Sequence, residues 1–435
     1  MTRYIITVFT TLFLIGTLNA QPIDDELRRN IDQYIDDIQD DVIEWRRDFH
    51  QNPELSNQEF RTSAIVAEHL RNLGIEVETG IAGTGVVGVL RGGKSGPVIA
   101  LRADMDALPI TEELDLPFAS KKRVIFNGKE VGVMHACGHD VHTASLMGVA
   151  KVLSSIREDL PGTVKFIFQP AEEGAFDAEI WGAKMMVAEG VLENPKPDAV
   201  FGMHVWPIPV GEVAYASGAF MASVDNFKIR LTGRGSHGAI PWESNDPIIA
   251  AAQVISNIQT IVSRNAELTQ GAAVVSIGSI QGGNRNNIIP DEVEILGTIR
   301  THHEQTRQMI HNRLKEMVHH IASAHRVEAE TNIVRLYPAV INNPSLVNKM
   351  IPAIKQSIGE RGVYAIPPVM IAEDFSYYAN EVPGMFYFLG ILPADHTGPV
   401  EPIHSPRFFV DESALKVAVR TMSYITLHAL SLYSE

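Results

Sequence analysis

The chain has 435 residues, 45% hydrophobic and 20% charged, a composition too apolar for a disordered protein and a length that suits two or three domains. Its formal net charge of -16, from 36 Lys+Arg against 52 Asp+Glu, speaks against a nucleic-acid partner and against docking on anionic lipid, both of which need a basic face. The single cysteine, Cys137, rules out an intrachain disulfide and with it a disulfide-stapled fold.

Residues 1–20 place Arg3 before an apolar run from Tyr4 to Ile15, with small Ala20 before Gln21. This is the layout of a cleavable export signal. The run is shorter than the roughly 20 residues of a spanning helix, so a periplasmic or secreted protein is expected rather than an anchored one. No cysteine stands near the cut to carry a lipid.

From Asp24 onward, Ile31, Tyr34, Ile35, Ile38, Val42 and Phe49 recur at helical spacing among Asp, Glu and Arg. The pattern predicts one long amphipathic helix, ended at Pro53. A second helix is predicted over Phe60–Leu73, with Gly74 as its stop. Strand signals follow at Val86–Leu90, Val98–Arg102, Val164–Phe168 and Ala199–Met203, with a helix at Thr143–Ile156 between them. Alternating strands and helices predict an α/β layer fold with a largely parallel sheet.

Near Ser217 the character changes. Strand Asn226–Leu231, helix Asp246–Val262, strands Ala272–Ile277 and Val293–Thr301, helix Glu304–Ala322 and strand Val327–Val334 follow in turn. This β-α-β-β-α-β order is the ferredoxin-like pattern. After Leu336 the α/β character returns. The predicted organisation is a signal at 1–20, a catalytic domain in two parts at 21–220 and 336–435, and an α+β ferredoxin-like domain inserted at 221–335.

Gly83-Thr-Gly85-Val-Val-Gly88 fits a dinucleotide-binding spacing, but a strand follows it where that fingerprint needs a helix, so it reads as a turn between strands. His135-Ala-Cys137-Gly-His139-Asp140-Val-His142 is far more specific. A thiolate and an imidazole two residues apart on a glycine-containing turn can reach one metal cluster. Glu172-Glu173 follows a strand end, where an α/β fold places its site; one carboxylate can ligate metal while its neighbour moves protons. His204 and His404 each lie by a strand end or in a loop, and singly would read as packed or surface histidines. Cys137, His139, Glu173, His204 and His404 together make five ligands. With one of them bridging they supply six bonds, enough for two open sites of about three protein ligands each. The histidines at 302, 303, 311, 319, 320 and 325 lack metal spacing and read as the solvated face of a helix.

With these residues assembled, the chain resembles the aminoacylase/carboxypeptidase G family of dinuclear metallohydrolases. It is most similar to the branch of N-acyl-amino-acid amidohydrolases that includes hippurate hydrolase and plant indole-acetyl-amino-acid hydrolases. The resemblance covers nearly the whole mature chain. It rests on Arg102-Ala-Asp-Met-Asp-Ala-Leu-Pro109, Met134-His-Ala-Cys-Gly-His-Asp140, Gln169-Pro-Ala-Glu-Glu-Gly174, Gly202-Met-His-Val-Trp206, Gly233-Arg-Gly-Ser-His237, Asn287-Ile-Ile-Pro290, Glu373-Asp-Phe-Ser376 and His404.

The resemblance implies that Cys137, His139, Glu173, His204 and His404 hold two divalent ions, zinc, manganese or similar, with Glu172 as general base and acid. Asp106 is implied as a supporting carboxylate near the metals, and His237, Asn287 and Arg300 as substrate-binding residues. The inserted domain is implied as a lid and dimerisation surface that carries His237 to the neighbouring subunit. Two departures stand out: Trp242, where relatives often carry His, and Ala372 before Glu373, where Gly or Ser is common. The acyl preference is therefore not carried over. The expected reaction is hydrolysis of N-acyl amino acids to a carboxylic acid and a free amino acid. The alternatives are a carboxypeptidase or dipeptidase, or a non-catalytic binding protein on the same scaffold.

Overall fold

The computed structural model describes residues 24–174 and 181–433; the expected export signal lies outside the described residues. At the centre is an eight-stranded mixed sheet. Its order is Glu76–Ile81, Gly85–Arg91, Pro161–Gln169, Lys94–Asp104, Ala199–Pro209, Gly384–Leu392, Val213–Tyr215, Val363–Ala365. The four strands from Pro161–Gln169 to Gly384–Leu392 run parallel to one another, and antiparallel pairings flank them on both sides. Strands covered on both faces read as continuous apolar runs, and Gly384–Leu392 is buried along its whole length.

Alternation along each strand sorts the side chains into two cores. Ile99, Leu101, Val164, Phe166, Phe201, Met203, Met385 and Tyr387 pack under the helices Asp25–Asp37, Gln39–Gln51, Phe60–Asn72, His139–Ser155, Pro344–Ile358 and Ser413–Leu432. Ala100, Ile167, Val200, Phe386 and Phe388 pack with Ala183, Met186 and Tyr378 of the short helices Gly182–Ala188 and Ser376–Glu381.

Four strands form a second sheet in the order Ala273–Gly282, Glu292–Thr301, Ser223–Thr232, Glu328–Arg335, with all neighbours antiparallel. Its core is separate: Phe227, Ile229, Leu231, Val293 and Ile295 pack against helices Pro247–Asn265 and Glu304–Ala324. The chain enters and leaves this unit through the paired segments Gly218–Met221 and Val340–Asn342.

Three local readings change. The long N-terminal helix is two helices, broken at Ile38 (φ -99°, ψ 0°). Ile31, Ile35, Ile38, Val42 and Phe49 stay buried through the break, which is why periodicity does not reveal it. A hairpin, Arg123–Phe126 with Lys129–Gly132, was not among the expected strands. Its turn is Asn127-Gly128, both with positive φ, the pair favoured in two-residue hairpin loops. His302 and His311 are not on a solvated face but buried. His302 Nε2 lies 2.9 Å from the Val369 carbonyl oxygen. His311 Nε2 lies 2.5 Å from Asp225 Oδ2, because a carboxylate buried beside Arg307 draws every donor within reach. Among the described residues no helix is long and apolar enough to cross a membrane.

Candidate metal centre

The carboxyl ends of the parallel strands meet the start of helix His139–Ser155, where an open α/β sheet places its site. Gly138 caps that helix with φ +85°, and a Cβ there would overlap Val205 Cγ2. Glycine alone suits this turn, which puts Cys137 and His139 on either side of one bend. Ala171 (φ +52°) and His404 (φ +65°) also sit in the left-handed region, at about 1–3 kcal/mol each. Their neighbours hold them there. Ala171 donates its N–H to Glu59 Oε1 at 2.9 Å, and His404 donates its own to the Ala136 carbonyl at 2.8 Å.

All five predicted ligands come together. The donor atoms of Cys137, His139 and His204 lie within 4.8 Å of one another, as do those of Cys137, Glu173 and His404. The sulfur is common to both groups: His204 Nε2 and His404 Nε2 are each 3.2 Å from Cys137 Sγ, and His404 Nε2 is 3.0 Å from Glu173 Oε1. Two triads sharing one thiolate match the arithmetic of five ligands and six bonds.

Asp106 lies beside the ligands and does more than one job. Its Oδ1 lies 3.2 Å from His139 Nδ1 and accepts the Glu172 N–H at 3.0 Å; its Oδ2 accepts the Glu173 N–H at 3.0 Å and the Ser56 hydroxyl at 2.7 Å. One carboxylate thus fixes the ring of one ligand and the backbone of the two glutamates. His139 Nε2 is left buried with no hydrogen-bond partner, the arrangement of an imidazole oriented by a carboxylate towards a metal.

The electrostatics fit cations. Asp104, Asp106, Glu172, Glu373 and Asp374 are buried with the guanidinium of Arg102 among them. Burial, then the charges of Glu373, Glu173 and Asp374, hold the Glu172 carboxyl well above the usual carboxylate range. Burial would lower His139, but Asp104 and Asp106 override it and raise the ring to about 10: the cluster keeps a positive charge where a cation belongs. Burial holds His204 well below its usual value, which leaves it neutral and ready to ligate. Burial, with Glu173 and Glu172 beside it, pushes the Cys137 thiol well up; coordination reverses that sign and deprotonates it. Thiolate, imidazole and carboxylate donors suit zinc- or manganese-type ions.

Several supporting residues carried no role in the sequence reading. His142 Nδ1 lies 2.5 Å from Asp104 Oδ1, and its Nε2 accepts the Val205 N–H at 2.9 Å. Val205 O lies 2.6 Å from His204 Nδ1, so His142 anchors the residue whose carbonyl aims His204. Arg102 donates to Gln169 Oε1 (2.9 Å), Asp104 Oδ2 (2.8 Å) and Asp374 Oδ1 (3.0 Å). Tyr337 donates its hydroxyl to the Glu172 carbonyl at 2.6 Å. Charged residues at the end of an apolar strand, as in Arg102-Ala-Asp104, were the available signal.

A cavity of about 380 Å³ opens over the centre, and Arg300, Asn226, Trp181, Tyr337 and Ala372 line it with Cys137, Glu173, His204 and His404. Arg300 reaches it because it pairs in register with Val224, on the sheet face opposite the helices. His237 and Asn287 are not among the lining. They are exposed neighbours on a small separate two-stranded ribbon, in which His237 pairs with Ile288 and Gly238 donates to the Asn287 carbonyl at 2.8 Å. Trp242, 75% exposed, follows in the turn Pro241–Glu243.

The sequence matches the model of peptidase family M20/M25/M40 over residues 100–428. It is 42% identical to an N-acetylcysteine deacetylase of Bacillus subtilis over 379 residues, covering 87% of this chain and 93% of the relative. It is also 42% identical to thermostable carboxypeptidase 2 of Saccharolobus solfataricus over 386 residues, covering 88% and 94%. Among solved structures it is similar to a dinuclear metal-binding peptidase of the M20 family from Bacillus subtilis, at 36% identity and a TM-score of 0.74, with 94% and 99% covered.

Proposed function

The chain belongs to peptidase family M20/M25/M40, and from that premise we propose that this metal-dependent amidohydrolase cleaves N-acyl amino acids to a carboxylic acid and a free amino acid. One observation carries the reading: a single thiolate, Cys137, is shared by two ligand triads, with the buried, unspent carboxyl of Glu172 beside them. Two divalent ions held by these triads would polarise the amide carbonyl and acidify water.

The chain's own groups do the rest. Glu172 takes the proton of the attacking water and returns it to the leaving nitrogen, a task for which a raised carboxyl pKa is suited. Asp106 holds the glutamate backbone, and the Asp374 N–H lies 3.4 Å from Glu172 Oε1. Arg300, lining the cavity, offers a planar fork to the substrate's carboxylate. His237 is not among the residues that line the cavity, and the reading includes a homodimer in which the partner's imidazole steadies the developing oxyanion. Export by residues 1–20 completes the proposal, on the strength of their charged, apolar and small-residue layout.

A carboxypeptidase or dipeptidase is the second reading, supported by the likeness to a carboxypeptidase at the same identity as to the deacetylase. One assay separates them. The metal-reconstituted protein is offered N-acetyl, N-benzoyl and N-indole-acetyl amino acids alongside dipeptides. Turnover confined to dipeptides removes the acyl-amino-acid reading, and none on any substrate leaves the binding-protein alternative.

A further inference from the structure

A second cavity, about 440 Å³, adjoins the metal cavity: Trp181, Leu336 and Tyr337 line both. Tyr377 and the exposed Lys184, Val334 and Arg335 complete its lining, and no metal ligand is among them. The metal cavity alone, about 380 Å³, lies near the small end of small-molecule sites, which run from about 300 to 1,000 Å³. The two together lie well inside that range.

Sheet register orders the groups along this pair of cavities. Arg300 pairs with Val224, and Asn226, two residues further along the same strand, pairs with Val334. Residues directly opposite one another share a sheet face, as do residues i and i+2. Arg300, Val224 and Asn226 over the metal cavity and Val334 over the second therefore form one roof. Their strands, Glu292–Thr301, Ser223–Thr232 and Glu328–Arg335, are neighbours in that order, so Arg300 and Val334 stand two strand spacings apart, about 10 Å. An N-acyl amino acid whose carboxylate meets Arg300 carries its side chain on the carbon beside that carboxylate. Its acyl group is the part on the far side of the amide, towards Val334.

The wall of the second cavity is aromatic and held in place. Trp181 Nε1 donates to the Tyr337 hydroxyl at 3.3 Å, and Tyr337 donates its own proton to the Glu172 carbonyl at 2.6 Å. The Tyr377 hydroxyl donates to the Leu336 carbonyl. All three rings are half-buried, so their polar tips are engaged while part of each ring stays open to a partner. Of the two cations in the lining, Arg335 is engaged by Glu304 and Lys184 is exposed, which leaves the rings to choose the occupant. Ring-to-ring contacts in offset or edge geometry add to the gain from burial alone.

We propose that the second cavity receives the acyl group of the substrate, that this group is a bulky aromatic one, and that Trp181, Tyr337 and Tyr377 set the preference. The assignment rests on the N-acyl-amino-acid reading and deepens it. The carboxylate lies at Arg300, the amide over the metals, and the acyl ring runs past Trp181 and Tyr337 to lie under Val334.

The test is calorimetric titration of the metal-loaded Glu172→Gln protein with N-acetyl-L-alanine, with N-phenylacetyl-L-alanine, which enlarges the acyl group, and with N-acetyl-L-phenylalanine, which puts the ring on the amino acid instead. The phenylacetyl ligand is expected to bind about 10–100-fold more tightly than acetyl-alanine, the value of burying one aromatic side chain. Trp181→Ala removes part of the wall, and Val334→Trp fills the cavity from a strand position that is 48% exposed. Added to the Glu172→Gln protein, each should cut the phenylacetyl-to-acetyl ratio by about tenfold. Equal affinity for the acetyl and phenylacetyl ligands overturns the proposal, and so does a preference that neither variant alters. Val334→Trp acting on acetyl-phenylalanine instead overturns it too, by giving the cavity to the amino-acid side chain. The readout is binding, so the reaction reading fails separately: turnover of dipeptides alone by the unsubstituted enzyme, beside a phenylacetyl preference that both variants weaken, would remove the reaction and keep the cavity.

Discussion

The two glutamates at 172 and 173 show how one position in sequence separates two chemistries. Both backbones are held by Asp106, yet only Glu173 lies within ligand distance of His404 and the shared sulfur. Glu172→Gln keeps the volume and removes the base. Metal content by elemental analysis should stay at the wild-type level while kcat falls by roughly 10²–10⁴. Loss of metal with activity restored by adding it back would make Glu172 a ligand. Cys137 gives a second residue-level test. Coordination keeps the thiolate covered and deprotonated, so chelation should expose it to alkylation, read as iodoacetamide labelling by mass spectrometry. Equal labelling of holo and apo protein would remove the sulfur from the centre, and with it the sharing of one ligand between two metals.

At the scale of elements, the inserted unit has a buried ion cluster of its own, which makes its stability separable from the metals. Arg307 donates to Asp225 at 2.9 Å and His311 Nε2 lies 2.5 Å from the same carboxylate. Burial opposes ionisation of Asp225, but the bonds from Arg307 and His311 outweigh it and hold the carboxyl below its ordinary value. A depressed carboxylate stabilises the fold at pH values above its unfolded pKa of about 3.9, and that contribution is lost as pH falls through the lower folded value. Asp225→Asn should therefore lower the urea midpoint at pH 7, by an amount equivalent to about 3–5 kcal/mol for a broken buried pair. The gap to wild type should narrow below about pH 4; a gap that stays constant into acid would mean that Asp225 is not ionised in the fold. This cluster also marks what the sequence hid. The strands and helices of the inserted unit and four strands of the large sheet were legible because apolar periodicity is a local signal, whereas Glu76–Ile81, Val213–Tyr215, Val363–Ala365 and Gly384–Leu392 were not among the expected strands. Cys137 and His139 stood out as a dense local run, while Glu173, His204 and His404 were read only as a set with them. The burial of His302 and His311 was not legible, since each is set by a partner, Val369 or Asp225, 67 or 86 residues away. The roles of His142, Arg102 and Tyr337 are tertiary in the same way. The Asn127-Gly128 hairpin, by contrast, was a local signal.

The whole molecule poses the question of where substrate binding is completed. The metal centre and Arg300 share one cavity, but His237 and Asn287 sit exposed on a separate two-stranded ribbon of the inserted unit. His237 Nδ1 accepts the Ala239 N–H at 3.0 Å, which leaves Nε2 as its free donor. The proposed dimer would carry each two-stranded ribbon to the other subunit's cavity, where that N–H can donate to the oxyanion. Removing one such donor costs roughly 10²–10³ in turnover, so His237→Ala should be nearly inactive, with metal content intact. If His237 acts across the dimer, its loss and the loss of Glu172 fall in different sites. A heterodimer of His237→Ala with Glu172→Gln then holds one site with a native Glu172 and a native partner His237, and one site with neither. Co-expression with two affinity tags isolates that species, and its kcat per dimer should recover to about half of wild type, with KM unchanged, because one native site of two remains. Heterodimers as inactive as either parent would place His237 in its own subunit's reaction, and full activity in His237→Ala itself would leave the ribbon with no part in catalysis.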